Sequence, residues 1–249
     1  MKIVTIVPAR MASTRFPGKP LEKIAGMTMI EHIRRRLKMN KNLGEVIVAT
    51  CDKEIMDVVR SNGGQAVMTS SEHVRCSDRI AEAARGLDAD IIINVQGDEP
   101  LVMPEMVEKL LPPFLTEADI ACTNLMSTIR TDEELQSRNV VKTVVDRKNR
   151  ALYYSREAIP SIRMGMPAYP KYKQLGIMAF RKDALARFAD LPPTPLEEVE
   201  SVDLLRFLEH GLAVRMILED SFQTIGVDTP QDLERATLLM KNDPLFGKY

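Results

Sequence analysis

The stretch "KIVTIVPARMASTRFPGKP", residues 2–20, joins a run of apolar and β-branched residues to a loop rich in positive charge, glycine and proline. The apolar run predicts a β-strand that ends near Pro8. The loop after it contains Arg10, Arg15 and Lys19, and Gly18 lets the backbone pass close to a ligand. Guanidinium and ammonium groups suit phosphate oxygens, so the loop indicates an anion site, with a solvated surface loop as the alternative. Neither GxxxxGK(S/T) nor GxGxxG is present, so the pattern supports neither a P-loop ATPase nor a dinucleotide site.

The composition limits the classes of partner. The chain has 249 residues and a net charge of −1, which gives no overall attraction to nucleic acid or to a membrane surface. No apolar run approaches 18 residues, and the N-terminal apolar stretch is too short for a signal peptide. We therefore expect neither a nucleic-acid partner nor a membrane span. The three cysteines form no CxxC pair, which predicts reduced thiols in a cytoplasmic protein, and the scattered histidines argue against a histidine-built metal site.

Strand and helix patterns alternate along the first half of the chain. "EVIVAT", residues 45–50, and "DIIINV", residues 90–95, predict strands, whereas residues 29–39 and 53–64 have helical spacing. Apolar strands between amphipathic helices indicate a parallel sheet covered on both faces. Ligands of such sheets bind beyond the carboxyl ends of the strands, where the basic loop and "QGDEP", residues 96–100, are expected to lie.

The second half is richer in β-structure. Residues 140–146 and 151–155 predict a hairpin, residues 161–173 a long loop, and residues 195–211 one helix that ends at a glycine. A further helix is predicted to be capped by Thr229 with Pro230 in its first turn. We predict one α/β domain over residues 1–249, with a β-rich extension over residues 124–185 that contacts a second copy.

Six motifs give the chain a specific family resemblance. They are "VPARMASTRFPGKPL", "VIVATCD", "NVQGDEPL", "VVKTVVDRKNRALYYSREAIP", "LGIMAFRKDAL" and "GVDTPQDLERA", in order over nearly the whole sequence. The chain thereby resembles the cytidylyltransferases that activate 3-deoxy-manno-octulosonate (Kdo), the CMP-Kdo synthetases. The resemblance implies a mostly parallel, Rossmann-like nucleotidyltransferase sheet with helices on both faces and a β-rich dimerisation extension. It also implies a homodimer, with CTP and an acidic sugar as substrates.

The resemblance assigns Asp98 and Asp228 to Mg²⁺, with Glu99 as a neighbour that could help. From the residues alone, each aspartate is equally well explained as a turn or cap carboxylate. The implied reaction is attack by the anomeric hydroxyl of the sugar acid on the α-phosphorus of CTP, with release of pyrophosphate. Arg10, Lys19 and Asp98 are the expected catalytic residues. The expected nucleotide-binding residues are Arg10, Ser13, Arg15, Lys19, His73, Asp78 and Arg79.

The acceptor sugar is assigned to a second group of polar residues. This group comprises Gln96, Lys142, Arg156, Gln174, Asp203 and Arg75. Arg156 is expected to bind the sugar carboxylate, with an ion pair to Glu157 or another acid as the alternative. Lys142 either reaches the same pocket or is only a surface side chain of a strand.

Three motifs depart from the family pattern. The chain has "HVRCSDR" for H-x-S-G-T-D/E-R, "QLGIMAFR" for "HLGIYGYR", and "ESVDLLR" for "ExLEQLR". These changes predict a retained nucleotide site and an acceptor other than ordinary Kdo, such as an 8-amino form. Drift, or better packing by Met178 and Leu204, is the alternative. Cys76, in the first motif, is expected to be a buried structural thiol rather than a nucleophile.

Two other functions compete with this hypothesis. One is a nucleotidyltransferase for another acceptor, namely another acid, a phosphonate or a sugar phosphate. The other is a non-catalytic nucleotide-binding subunit, which the presence of Lys19, Asp98 and Asp228 disfavours.

Overall fold

The computed structural model describes residues 1–13, 15–161, 169–222 and 224–249. They form two compact units, Met1–Glu108 with Phe222–Tyr249, and Lys109–Ser221. The strands are β1 Ile3–Ala9, β2 Lys23–Ile24, β3 Met27–Thr28, β4 Glu45–Thr50, β5 Gln65–Met68, β6 Ile91–Val95, β7 Ile120–Thr128, β8 Lys142–Val145, β9 Ala151–Ser155, β10 Tyr172–Arg181 and β11 Ala213–Leu218. The α-helices are α1 Met29–Lys38, α2 Lys53–Ser61, α3 Cys76–Ala84, α4 Pro104–Glu108, α5 Pro113–Thr116, α6 Asp132–Gln136, α7 Lys182–Asp190, α8 Pro195–Glu200, α9 Leu204–Glu209 and α10 Pro230–Met240. Short 3₁₀ helices are formed by Lys19–Leu21 and Lys41–Leu43.

The first unit contains the parallel strands that the sequence predicts. Strand β1 pairs in parallel with β4 and β6, and β4 pairs in parallel with β5. The sheet is apolar at its centre because β-branched residues such as Ile6 and Val48 are fully buried. Helix α1 buries Ile30, Ile33 and Leu37, the apolar face expected from their spacing. The predicted α/β class with a largely parallel sheet is confirmed.

The second unit mixes strand directions. Strand β7 pairs in parallel with β11 and antiparallel with β10, and β8 pairs antiparallel with both β10 and β9. The hairpin predicted for residues 140–155 is therefore present as β8 and β9. The domain prediction, a single domain with an extension over residues 124–185, stays a prediction.

The helix predicted over residues 195–211 is interrupted. Helices α8 and α9 are separated at Ser201, whose φ of 53° places it in the left-handed region. The interruption lets Arg206 of α9 form a bidentate ion pair with Glu197 of α8, with both N···O distances 2.7 Å. Because both side chains are almost completely buried, this pair favours two packed helices over one continuous rod.

One further expectation concerns a loop of the second unit. Most of the long loop predicted for residues 161–173 lies outside the described residues, since residues 162–168 are not described.

Helix α10 begins as predicted, because the Thr229 hydroxyl accepts a hydrogen bond from the Asp232 N–H. Among the described residues, no helix combines the length and the apolar character needed to cross a membrane.

Candidate active site

The basic loop leaves β1 at the carboxyl edge of the parallel strands. It turns on Met11, whose carbonyl oxygen accepts hydrogen bonds from the N–H groups of Ser13 and Gly18, both at 2.9 Å. Gly18 has a φ of 77°, a left-handed conformation that glycine adopts without strain, and the 3₁₀ helix follows it directly. The loop therefore returns on itself and brings Lys19, the first residue of that helix, back beside the strand end.

Lys19 joins the two aspartates that lie 130 positions apart in the sequence. Its Nζ donates to Asp98 Oδ2 at 2.8 Å and to Asp228 Oδ1 at 3.1 Å. It also donates to the Val227 carbonyl at 2.9 Å. The three charged side chains are 13%, 22% and 27% exposed, so the cluster is partly shielded from water but still accessible.

The charge on Lys19 is stabilised by its neighbours. Burial is the largest influence on the pKa of Lys19 and lowers it, but the Asp98 and Asp228 carboxylates together outweigh burial. The pKa is therefore raised above its ordinary value, and the ammonium stays charged at neutral pH. Arg15 adds a second cation, with its NH2 group 3.0 Å from Asp228 Oδ1.

Close backbone packing brings Asp98 to this place. A Cβ atom on Gly97 would lie 2.6 Å from the carbonyl oxygen of Pro8, so only glycine allows the turn after β6 to approach the end of β1 this closely. The Asp98 carbonyl in turn accepts a hydrogen bond from the Val227 N–H at 2.9 Å. The two aspartate-bearing segments are thus connected through the backbone as well as through Lys19.

A pocket in the first unit collects most of the predicted residues. Those that line it are Arg10, Ser13, Arg15, Lys19, His73, Arg75, Arg79, Gln96, Asp98 and Asp228. Cys76 also lines the pocket and is half-buried, so the expectation of a buried thiol is not met. Asp78 lies in the first turn of α3, the helix that begins at the pocket.

Two of the predicted nucleotide residues are held by neighbours on α3 and the loop before it. His73 bonds to Glu82 through its Nε2. Arg79 is 3% exposed and donates from NH1 to the carbonyl of Ser70 at 3.1 Å. The NH2 group of Arg79 is buried and has no hydrogen-bond partner among the described residues. A buried donor of this kind beside a pocket favours a ligand with acceptor oxygens.

The donor set of the aspartates suits a hard cation. Asp98 and Asp228 converge on one nitrogen, Nζ of Lys19, so the two carboxylates already share one cation, the lysine ammonium. Among the described residues no group of three or more His, Cys, Asp or Glu side chains could hold a metal ion. Two carboxylates alone match Mg²⁺, which binds one or two carboxylates together with waters and substrate phosphates.

The remaining predicted acceptor residues belong to the second unit. Lys142 is fully buried, and its ammonium donates to three backbone carbonyls. Those carbonyls belong to Ser137, Val140 and Arg156. Burial is the main cause that lowers the pKa of Lys142. This side chain has a clear structural role at the end of its hairpin, which neither of the two sequence interpretations included.

Arg156 is also fixed by backbone oxygens. Its Nε donates to the Glu200 carbonyl at 2.7 Å and its NH2 to the Ser201 carbonyl at 3.1 Å. The Glu200 carboxylate accepts from the Arg156 N–H at 2.7 Å and from the Ser155 hydroxyl at 2.8 Å. Sequence reasoning missed Glu200, although it opens the "ESVDLLR" motif. The Arg156 guanidinium is thus oriented by backbone carbonyls at and just after the end of α8, while Glu157 forms an ion pair with Arg138 at 2.8 Å.

The departures from the family pattern divide by burial. Met178 is 3% exposed and Leu204 is fully buried, so both pack in the core of the second unit. Gln174 is half-buried on β10, and Asp203 is half-buried immediately before α9. The burial of Met178 and Leu204 supports the packing interpretation for those two positions. The prediction of a modified acceptor then depends on the polar departures.

Comparison with known proteins identifies close relatives over the full length. A family model described as "Cytidylyltransferase" matches residues 4–220. A 3-deoxy-manno-octulosonate cytidylyltransferase of Geobacter metallireducens is 44% identical, and the match covers 94% of this chain and 96% of that protein. The corresponding protein of Trichlorobacter lovleyi is 42% identical over 97% of this chain and 99% of its own.

A solved structure is also similar. The structure of CMP:2-keto-3-deoxy-manno-octonic acid synthetase complexed with CTP has a TM-score of 0.90 and 37% identity, covering 97% of this chain and 99% of that one. A more distant protein has a similar fold. It is a glucose-1-phosphate thymidylyltransferase structure from Bacillus anthracis, described as putative, with a TM-score of 0.67 at 17% identity. It covers 95% of this chain and 94% of that one.

Proposed function

The chain belongs to the 3-deoxy-manno-octulosonate cytidylyltransferase family, and from this premise we propose that it transfers CMP from CTP to a 3-deoxy-2-keto sugar acid. The acceptor is Kdo or a close derivative such as its 8-amino form, and pyrophosphate is released. One observation carries the proposal. Lys19 meets Asp98 and Asp228 in a pocket that four arginines also line, at the carboxyl edge of parallel strands. That edge is where α/β proteins bind their ligands.

The reaction needs charge stabilisation more than covalent chemistry. As the sugar hydroxyl attacks the α-phosphorus, the bond to the β-phosphate oxygen breaks and negative charge builds on the pyrophosphate. Arg10, Arg15 and Lys19 supply three cations on one loop, and Lys19 is held in place by two carboxylates. Fixed cations of this kind lower the barrier because they need not reorganise during the reaction.

Asp98 and Asp228 would hold Mg²⁺. When bound, the ion would neutralise phosphate charge and orient the triphosphate. The residues present fit this role, since the two carboxylates already converge on a single cation, the Lys19 ammonium.

The nucleoside and the acceptor are assigned to other residues. Ser13, His73, Asp78 and Arg79 are proposed for the nucleotide, supported by the buried, unsatisfied NH2 group of Arg79. Gln96 and Arg75, which line the same pocket, are proposed for the acceptor. Lys142, Arg156, Gln174 and Asp203 of the second unit are proposed as further acceptor residues. The guanidinium of Arg156 is oriented by three backbone carbonyls.

Two further proposals concern the state of the protein. We propose a homodimer, supported by apolar side chains exposed on the second unit, with Leu152 61% and Val199 82% exposed. We also propose the cytoplasm as its compartment, supported by three cysteines that are all free thiols.

The proposed function is tested by measuring pyrophosphate release from CTP and Mg²⁺ with a panel of acceptors. The panel contains Kdo, its 8-amino form, sialic acid, a phosphonate and a sugar 1-phosphate. We expect release only with Kdo or its 8-amino form. Release with the sugar phosphate alone would favour the wider nucleotidyltransferase class, and CTP binding without any release would favour a non-catalytic subunit.

A further inference from the structure

Asp52 uses its carboxylate in an unusual way for its position. It follows β4 and is the residue before α2, where an aspartate ordinarily accepts a hydrogen bond from the second or third N–H group of the helix. The Asp52 side chain makes no such capping bond. Its Oδ2 instead accepts from the backbone N–H of Met11, at 2.8 Å and 41 positions away. The carboxylate therefore stabilises the basic loop rather than its own helix.

Met11 is connected to both cationic residues of the loop, Arg10 and Lys19. Met11 directly follows Arg10, so the Asp52 contact fixes the backbone beside that guanidinium. The Met11 carbonyl accepts from Gly18 N–H at 2.9 Å, and Lys19 is the next residue. One residue, Met11, thus connects the Asp52 carboxylate with the segments that carry Arg10 and Lys19.

Asp52 is itself held by a rigid element. Its N–H donates to the Thr50 hydroxyl at 3.1 Å, and Thr50 is a fully buried residue of β4. Its carbonyl accepts from the Met56 N–H at 3.2 Å, within the first turn of α2. The acceptor oxygen is therefore presented by a fixed strand–helix junction.

We propose that Asp52 is a positioning residue for nucleotide binding, acting through Met11 on Arg10 and Lys19. The described residues that line the pocket include these two cations but not Asp52, so the effect passes through the loop backbone. A hydrogen bond to an ionised acceptor is stronger than a neutral one, which suits a carboxylate for holding a loop. Small displacements of binding groups have large effects, since a shift of about 1 Å can reduce a rate about 100-fold. The inference rests on the proposed function, because it takes CTP as the ligand.

The test compares three substitutions by steady-state kinetics. Asp52→Ala removes the acceptor, and we expect the KM for CTP to rise about tenfold while the KM for the sugar acid stays unchanged. Asp52→Asn keeps an oxygen acceptor and should restore most of the CTP affinity. Asp57→Ala is the matched control, because Asp57 is an exposed carboxylate on the same helix, 3.7 Å from Lys53. It should behave like the wild type.

A further variant separates loss of the carboxylate from loss of the start of α2. Asp52→Ser lacks the carboxylate and has a side chain one bond shorter, but serine is a good residue before a helix. It should therefore keep α2 intact and still raise the KM for CTP. If Asp52→Ala and Asp52→Ser lower the melting temperature but leave the KM for CTP unchanged, Asp52 has only a structural role and the inference is overturned.

Equilibrium CTP binding without the sugar acid separates this inference from the proposed function. If Asp52→Ala binds CTP as tightly as the wild-type protein, the inference is overturned and the proposed function stands. Wild-type protein that neither binds nor turns over CTP overturns the proposed function, and the inference with it. Weaker CTP binding by Asp52→Ala and near wild-type binding by Asp52→Asn support the inference.

Discussion

Replacing Lys19 by alanine removes the cation at the centre of the proposed site. The Lys19 side chain is 13% exposed, and its ammonium contacts Asp98 and Asp228 at 2.8 Å and 3.1 Å, so alanine would remove the one cation that these two carboxylates share. A hydrogen bond that involves a charged group contributes about 1.5–3 kcal/mol. If Lys19 makes one such bond to the triphosphate in the transition state, kcat/KM for CTP should fall by at least about tenfold.

The assay is pyrophosphate release at varied CTP concentration, with folding monitored by circular dichroism. Lys23→Ala is the matched control, because Lys23 is exposed on the nearby strand β2 and outside the cluster. We expect wild-type kinetics from Lys23→Ala. A folded Lys19→Ala protein with kinetics equal to those of the control would refute the role of Lys19 in phosphate binding.

The pH dependence of stability gives an independent readout of the same cluster. The pKa of Lys19 in the folded protein is raised above 10.5, its ordinary value in an unfolded chain, because the two carboxylates outweigh the opposing effect of burial. The contribution of its charge is therefore fully present below the unfolded pKa and is lost as the pH rises through the folded pKa. The difference in unfolding free energy between wild type and Lys19→Ala should stay constant between about pH 6 and pH 9.

Four other predictions concern the Mg²⁺ site, His32, the oligomeric state and the acceptor. Asp98→Asn and Asp228→Asn keep the side-chain shape but remove a charge, so each should raise the Mg²⁺ concentration for half-maximal activity by about tenfold; unchanged Mg²⁺ titrations for both would contradict the assignment. Burial lowers the pKa of His32 below 6.5, so the unfolded state takes up the proton first, and stability should fall as the pH drops below this value; a melting temperature that is equally pH-dependent in His32→Gln would contradict this. Light scattering should give twice the 28.0 kDa mass of one chain, and a single-chain mass at micromolar concentration would reject the homodimer. The polar departures at Arg75, Gln174 and Asp203 predict a higher kcat/KM for a modified 3-deoxy sugar acid, for example 8-amino-Kdo, than for Kdo, and a wide margin in favour of Kdo would support drift.

Local patterns in the sequence predicted the regular elements because each depends on neighbouring residues. Strand β4 has the bounds of the apolar run "EVIVAT", and α10 starts at the predicted threonine cap. The break at Ser201 was not predictable in this way. It depends on the buried pair of Glu197 and Arg206, which forms only when two helices pack together.

The site could be predicted only in part. The residues of the basic loop were identifiable from their charge and their position after a strand. The meeting of Asp98 and Asp228 at Lys19 was not, because no spacing rule connects positions 130 apart. Asp52 was missed because an aspartate between a strand and a helix is ordinarily explained as a cap. A useful signal was available, since Asp52 lies just beyond the end of β4, a neighbouring strand at the same edge of the sheet.

The proposed reaction forms a CMP-sugar in one step from CTP and a 3-deoxy sugar acid. Phosphorus NMR of a reaction with CTP, Mg²⁺ and either Kdo or 8-amino-Kdo follows the phosphorus of both products at once. We expect one phosphodiester-linked CMP-sugar for each pyrophosphate released, and at least about tenfold less of both products from Lys19→Ala at the same enzyme concentration and time. Pyrophosphate with free CMP and no CMP-sugar, or a CMP-sugar formed only from a sugar phosphate, would contradict it.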